Sequence, residues 1–96
     1  MKVNTQSVNF NADGNLIVFV NERLNKLDQY YNKVIGSDVY LKVEKTKGKE
    51  NKIAEIKVYV PKNEFIVSKQ CKSFEEAIDL GCGAMKRQLL KQKEKN

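Results

Sequence analysis

The spacing of apolar and polar residues changes period several times along this chain, and each change marks an element. Ser73 to Asn96 carries the longest regular pattern. There Phe74, Ile78, Cys82, Met85 and Leu89 recur at steps of three and four, which places them on one face at 3.6 residues per turn. Ser73 followed three residues later by Glu76 is a capping-box signature, so a helix is expected to begin here. A second stretch, Ile17, Val20, Leu24, Leu27 and Tyr31, alternates with Asn21, Glu22, Asn25 and Asp28 and predicts a first helix of about five turns. Asn11, Asp13 and Asn15 are each competent to cap its start. The wholly apolar run Leu16 to Val20 would also suit a buried strand, but the helical period that continues beyond it decides for helix.

Four stretches read as strands. Lys2 to Phe10 is the first, with Val3 out of phase with Val8 and Phe10, so a bulge or an early strand end is expected near Gln6-Ser7. After Gly36 and the turn residues Ser37-Asp38, Val39, Leu41 and Val43 alternate with Tyr40, Lys42 and Glu44. Thr46 to Asn51 is a polar hairpin loop. Ala54, Ile56, Val58 and Val60 then alternate with Glu55, Lys57 and Tyr59 up to Pro61, which cannot donate to a ladder. Phe65 to Ser68 forms the fourth strand.

The resulting order is β-α-β-β-β-α, an α+β class. Short connections make strands two to four an antiparallel meander, while the helix between strands one and two requires a parallel, right-handed crossover. A four-stranded mixed sheet with both helices packed on one face is expected, with the other face open.

Composition narrows the function. The chain has 96 residues, 41% hydrophobic and 31% charged, which fits one small domain with a modest core. Its 18 Lys and Arg against 12 Asp and Glu give a formal charge of +6, favouring a polyanionic partner, nucleic acid first. No run approaches the roughly 18 apolar residues of a membrane span, and Met1-Lys2-Val3 leads into polar residues rather than a signal-peptide core, so a cytoplasmic protein without membrane contact is expected. Cys71 and Cys82 lack metal-site spacing and the chain contains no histidine, which argues against zinc. Both cysteines read as small hydrophobes, Cys82 on the core face of the last helix and Cys71 at a strand end. Neither a phosphate-cradling loop nor a serine elbow is present, so no enzymatic activity, cofactor or small-molecule substrate is expected.

Charge is sorted along the last helix. Glu75, Glu76 and Asp79 stand at its start, and Lys86, Arg87, Lys91, Lys93 and Lys95 at its end. Dipole complementation stabilises such an arrangement by about 0.3–1 kcal/mol per well-placed charge but fades beyond the last turn. Five cations against the single acid Glu94 within residues 86 to 95 exceed that need, and a polyanion-binding surface accounts for the excess. With both helices on one sheet face, Arg23, Lys26 and Lys33 can share a surface with Lys86, Arg87 and Lys91. Lys45, Lys47, Lys49 and Lys52 around the hairpin form a secondary basic region, or a solvated loop that discourages edge aggregation. Tyr40 and Tyr59 fall on the open sheet face, where aromatic rings can stack single-stranded bases. Gly81-Cys82-Gly83 lies within the helical pattern and reads as close packing of helix on sheet.

Several of these runs resemble one family. N-E-R-L-N-K-L-D on the first helix, V-E-K at Val43 to Lys45, V-P at Val60-Pro61, A-I-D at Ala77 to Asp79, and R-Q-L with K-x-K-E-K at Arg87 to Lys95 follow the order and spacing of the bacterial ribosome hibernation-promoting factors and ribosome-associated inhibitors. Three features depart from that pattern: a longer turn before the first helix, an extended basic hairpin, and glycines at positions 81 and 83. The resemblance implies a β-α-β-β-β-α domain that binds the small ribosomal subunit between head and body. There it would block mRNA and tRNA and inhibit translation under stress or in stationary phase. It further implies ribosomal RNA contacts from Arg23, Lys26, Lys86, Arg87, Lys91, Lys93 and Lys95. Residues 1–96 would form a single ribosome-binding domain, the short form without a C-terminal dimerisation domain, monomeric off the ribosome. Two other classes stand beside this one. One is a module for double-stranded or structured RNA away from the ribosome, although the acidic start of the last helix is unlike such modules. The other is a protein-interaction domain using the open sheet face.

Overall fold

In the computed structural model, which describes residues 1–45 and 47–95, the apolar periods become six main elements. These are β1 (Lys2–Val8), α1 (Gly14–Asn25), β2 (Gly36–Val43), β3 (Lys52–Val60), β4 (Asn63–Cys71) and α2 (Phe74–Lys95). Thr46 of the expected hairpin loop and Asn96 at the end of the expected last helix lie outside the described residues. The sheet order is β1-β2-β3-β4, with β1 parallel to β2 and the other pairs antiparallel. Thr5, Val39, Ile56 and Val67 stand in register across the four strands. Both helices pack on the face that this row shares, as the alternation requires.

Val39, Leu41, Ala54, Ile56 and Val58 of the sheet and Val20, Leu24, Ala77, Ile78, Met85 and Leu89 of the helices are fully buried. Removing a large aliphatic side chain from water contributes about 1.5–3 kcal/mol, so this layer between sheet and helices is the main source of stability.

The phase break in the first strand is an early end. Asn9 adopts a positive φ of 66°, a conformation that asparagine tolerates better than most residues. The chain changes face there. Val8 lies exposed, whereas Phe10 stacks on Phe74 with ring centroids 4.9 Å apart.

Three further elements differ in length from their expected bounds. Gly36, Ser37 and Asp38, expected to end the helical segment and turn the chain, are the first residues of β2: they pair with Lys2, Val3 and Asn4 of β1 and with Tyr59, Val58 and Lys57 of β3, so ladders on both sides take up their backbone groups. The first helix runs for 12 residues and then tightens into a 3-10 turn, Lys26–Gln29, instead of continuing for five α-helical turns. Asn25 Nδ2 donates to the Asn21 carbonyl at 2.8 Å, competing for the acceptor that the regular ladder uses. Leu27 and Tyr31 still reach the core, 2% and 4% exposed, so the apolar stripe outlasts the α-helix itself. The fourth strand extends on both sides of the expected Phe65 to Ser68: Lys69, Gln70 and Cys71 pair with Ala54, Ile53 and Lys52, with Gln70 exposed and Cys71 buried, so the in-and-out alternation continues through the polar residues.

α2 begins where β4 ends, beside the β2–β3 hairpin, and runs back along the sheet. At 22 residues it is roughly 33 Å long. Its acidic start therefore neighbours the basic hairpin, and its basic end lies toward the opposite pole, where Lys93 shares a small cleft with residues Asp28 to Asn32.

Candidate nucleic-acid interface

The surface between α1 and α2 is built by residues on the outer flanks of the two apolar stripes. Arg23 lies near the end of α1, Lys26 opens the 3-10 turn, and Lys86 sits in the middle of α2. Arg23 Nε donates to Asp79 Oδ1 at 2.8 Å, and its guanidinium lies 4.4 Å from the centre of the Phe19 ring. Asp79 is half exposed, so this ion pair positions the side chains more than it stabilises the fold. The Lys86 ammonium lies 4.5 Å from the centre of the Tyr30 ring. Arg23, Lys26 and Lys86 thus converge on one shallow cleft of about 170 Å³, whose apolar floor includes Leu27, Cys82 and Gly83.

Cys82 is half-buried there. Burial, reinforced by the Asp79 carboxylate and opposed by Arg23, pushes its thiol up to about 12. Burial also raises the Cys71 thiol, with Glu76 and Glu50 adding to the effect and Lys69 opposing it. Neither is a thiolate near neutral pH, in keeping with packing roles.

The remaining cations divide into groups. Lys93 follows Lys86 by seven residues on the same helical row and lines a second small cleft with Tyr30, Tyr31 and Asn32. Lys33 lies beyond the 3-10 turn, exposed, in the connection to β2 rather than on the helix. Arg87, Lys91 and Lys95 are exposed and four residues apart, forming a separate row about 100° around α2 from Lys86. The structure therefore brings together Arg23, Lys26 and Lys86 but sets Arg87 and Lys91 on another flank. At the far pole Lys45, Lys47 and Lys49 are exposed, and Lys52 is half-buried, donating to Asn51 Oδ1 at 2.6 Å.

Periodicity passed over Tyr30. Its signal was the adjacent pair Tyr30-Tyr31: one helix stripe cannot take both rings, and with Tyr31 in the core Tyr30 must lie at the rim.

Tyr40 and Tyr59 share the open sheet face, but both are engaged. Lys57 Nζ lies 5.6 Å from the Tyr40 ring centre. The Tyr59 hydroxyl donates to Asp38 Oδ2 at 2.7 Å. That hydrogen bond, with partial burial and the negative charge of Asp38 behind it, pushes the Tyr59 hydroxyl up to about 12. Among the described residues no group of three or more His, Cys, Asp or Glu is placed to hold a metal ion, and no helix is long and apolar enough to cross a membrane.

A family model described as "Sigma 54 modulation protein / S30EA ribosomal protein" matches residues 3–96. The chain belongs to this family. The match spans almost every element and bears out the resemblance read from the sequence. Solved structures that share the fold include the following two. The Thermus thermophilus Protein Y N-terminal domain is 22% identical, with a TM-score of 0.83 over 95% of this chain and 98% of that one. A ribosomal subunit interface protein from Coxiella burnetii is 15% identical, with a TM-score of 0.85 over 98% of this chain and 99% of that one. No curated protein matches the sequence.

Proposed function

We propose that this protein is a cytoplasmic ribosome hibernation factor. It binds the small ribosomal subunit between head and body, sets its helix cations against ribosomal RNA, and excludes mRNA and tRNA, so that translation stops. The observation that carries this reading is the convergence of Arg23, Lys26 and Lys86 on one cleft between α1 and α2, in a chain of the S30EA ribosomal protein family. Lys93 continues the row from that cleft toward the basic pole, and Lys33, Arg87, Lys91 and Lys95 widen the positive surface there.

The mechanism is occupancy without bond chemistry. Lysine and arginine contacts to phosphate release counterions and supply affinity, while the shape of the channel supplies specificity. Arg23 is held in place by Asp79 and Phe19, so the cleft is ordered before RNA arrives and less side-chain entropy is lost on binding. The basic hairpin at the far pole gives a second, independent contact. A groove-reading double-stranded RNA module is disfavoured, because Glu75 and Glu76 are exposed at the start of α2.

Sedimentation of the purified protein with separated ribosomal subunits tests this reading, together with titration into a cell-free translation reaction. Comigration with the small subunit and dose-dependent inhibition are expected. Free sedimentation at low salt, or undiminished translation at saturating protein, would overturn it.

A further inference from the structure

Two glycines of α2 have opposite surroundings. A Cβ built on Gly81 would lie 2.7 Å from Ile56 Cδ1, a core side chain with no exposure, so a side chain there would require Ile56 to shift within the layer between helix and sheet. A Cβ built on Gly83 would meet nothing within 4 Å. Glycine is among the poorest helix formers, and at position 83 neither packing nor backbone asks for it: the residue lies inside a 22-residue helix and has no positive φ. It lies instead in the floor of the cleft that Arg23, Lys26, Tyr30 and Lys86 surround.

At about 170 Å³ the cleft is far smaller than the 300–1,000 Å³ typical of small-molecule sites, and its rim is cationic. It suits one small anionic group of a larger molecule. Arg23 is committed to Asp79, whereas neither Lys26 nor Lys86 has an ion-pair partner among the described residues.

Resting on the ribosomal RNA reading above, we infer that Gly83 is the point of closest approach between this protein and RNA. A sugar-phosphate segment crosses α2 with its backbone against the bare Cα of Gly83, and Lys26 and Lys86 flank its phosphate. The cost in helix propensity is then offset in the complex and not in the free protein. The same reading separates the two glycines, since Gly81 serves the sheet and Gly83 serves the partner.

The test compares Gly83→Ala and Gly83→Gln with the parent protein, by thermal melting and by affinity for purified small ribosomal subunits. Both variants should melt higher than the parent, because each adds a better helix former into open space. Both should bind more weakly. For Gly83→Gln the loss should be roughly tenfold or more, about that of one hydrogen bond to a charged group. Affinity unchanged in both variants would overturn the inference while leaving ribosome binding itself intact. A lower melting temperature would overturn it too, by showing that the glycine serves the fold. If the parent does not bind small subunits, the underlying reading falls and this inference with it.

Discussion

Tyr59 shows how one hydrogen bond makes stability depend on pH. Its hydroxyl donates to Asp38, which also accepts from Asn4 Nδ2 at 3.4 Å, so three strands are tied across the open face. Loss of the proton would place a phenolate beside a carboxylate, and the folded state resists this until about pH 12 against an ordinary tyrosine value of 10.0. The unfolded chain gives up the proton first. The contribution is therefore fully present below pH 10 and is lost as pH rises through about 12. Urea unfolding at about pH 9 and about pH 11 should show a larger loss of stability for the parent than for Tyr59→Phe, which has no proton to lose. Equal losses would contradict this account. Residue-level detail of this kind was only partly legible beforehand. Alternation put Tyr40 and Tyr59 on the same face, but the register that sets Tyr59 within reach of Asp38 depends on which strands pair and how.

The elements themselves were legible in type and order because each carries a sustained period. Their ends were legible where a capping side chain or a proline marks them, as at Asp13, Ser73 and Pro61. Of the three candidate caps before α1, Asp13 is the one used, its Oδ1 accepting from the Leu16 N–H at 2.8 Å. Ser73 Oγ accepts from the Glu76 N–H at 3.1 Å, the expected first half of the capping box. Replacing either cap by alanine should cost about 1 kcal/mol, within a range of about 0.5–2. For a domain of this size that lowers the melting temperature by roughly 4–8 °C, which calorimetry on Asp13→Ala and Ser73→Ala would resolve. The early end of α1 was not legible, because the apolar stripe through Leu27 and Tyr31 continues past the point where Asn25 diverts the Asn21 carbonyl. Hydrophobic period reports which side chains face the core, and a 3-10 turn can continue that face without an α-helix. β4 exceeded its apolar run because Lys69 occupies the inward position between buried Val67 and Cys71, so the alternation continues in burial where the residue types interrupt it.

On the scale of the whole molecule the sequence showed an excess of charge, and the fold decides where the excess acts. Because α2 runs antiparallel to β4, its acidic start lies beside the basic hairpin, Lys86 faces the cleft at mid-helix, and Lys91, Lys93 and Lys95 lie toward the other pole. Which cations of α1 meet which of α2 depends on how the helices lie across the sheet, and that was not readable from spacing along either one. Lys86, Arg87 and Lys91 are all exposed, so changing the three together to glutamine should shift stability by no more than about 1 kcal/mol, mostly the loss of the Lys86 contact with Tyr30. The salt dependence of affinity for isolated small ribosomal subunits tests the central claim most directly. For the parent the log-log slope should be about −2 to −5, and for Lys86→Gln/Arg87→Gln/Lys91→Gln it should be shallower by about 2 to 3, with affinity at least roughly tenfold lower and the melting temperature little changed. A flat salt dependence in the parent, or a triple variant that melts and binds like it, would contradict the assignment of these helices to ribosomal RNA.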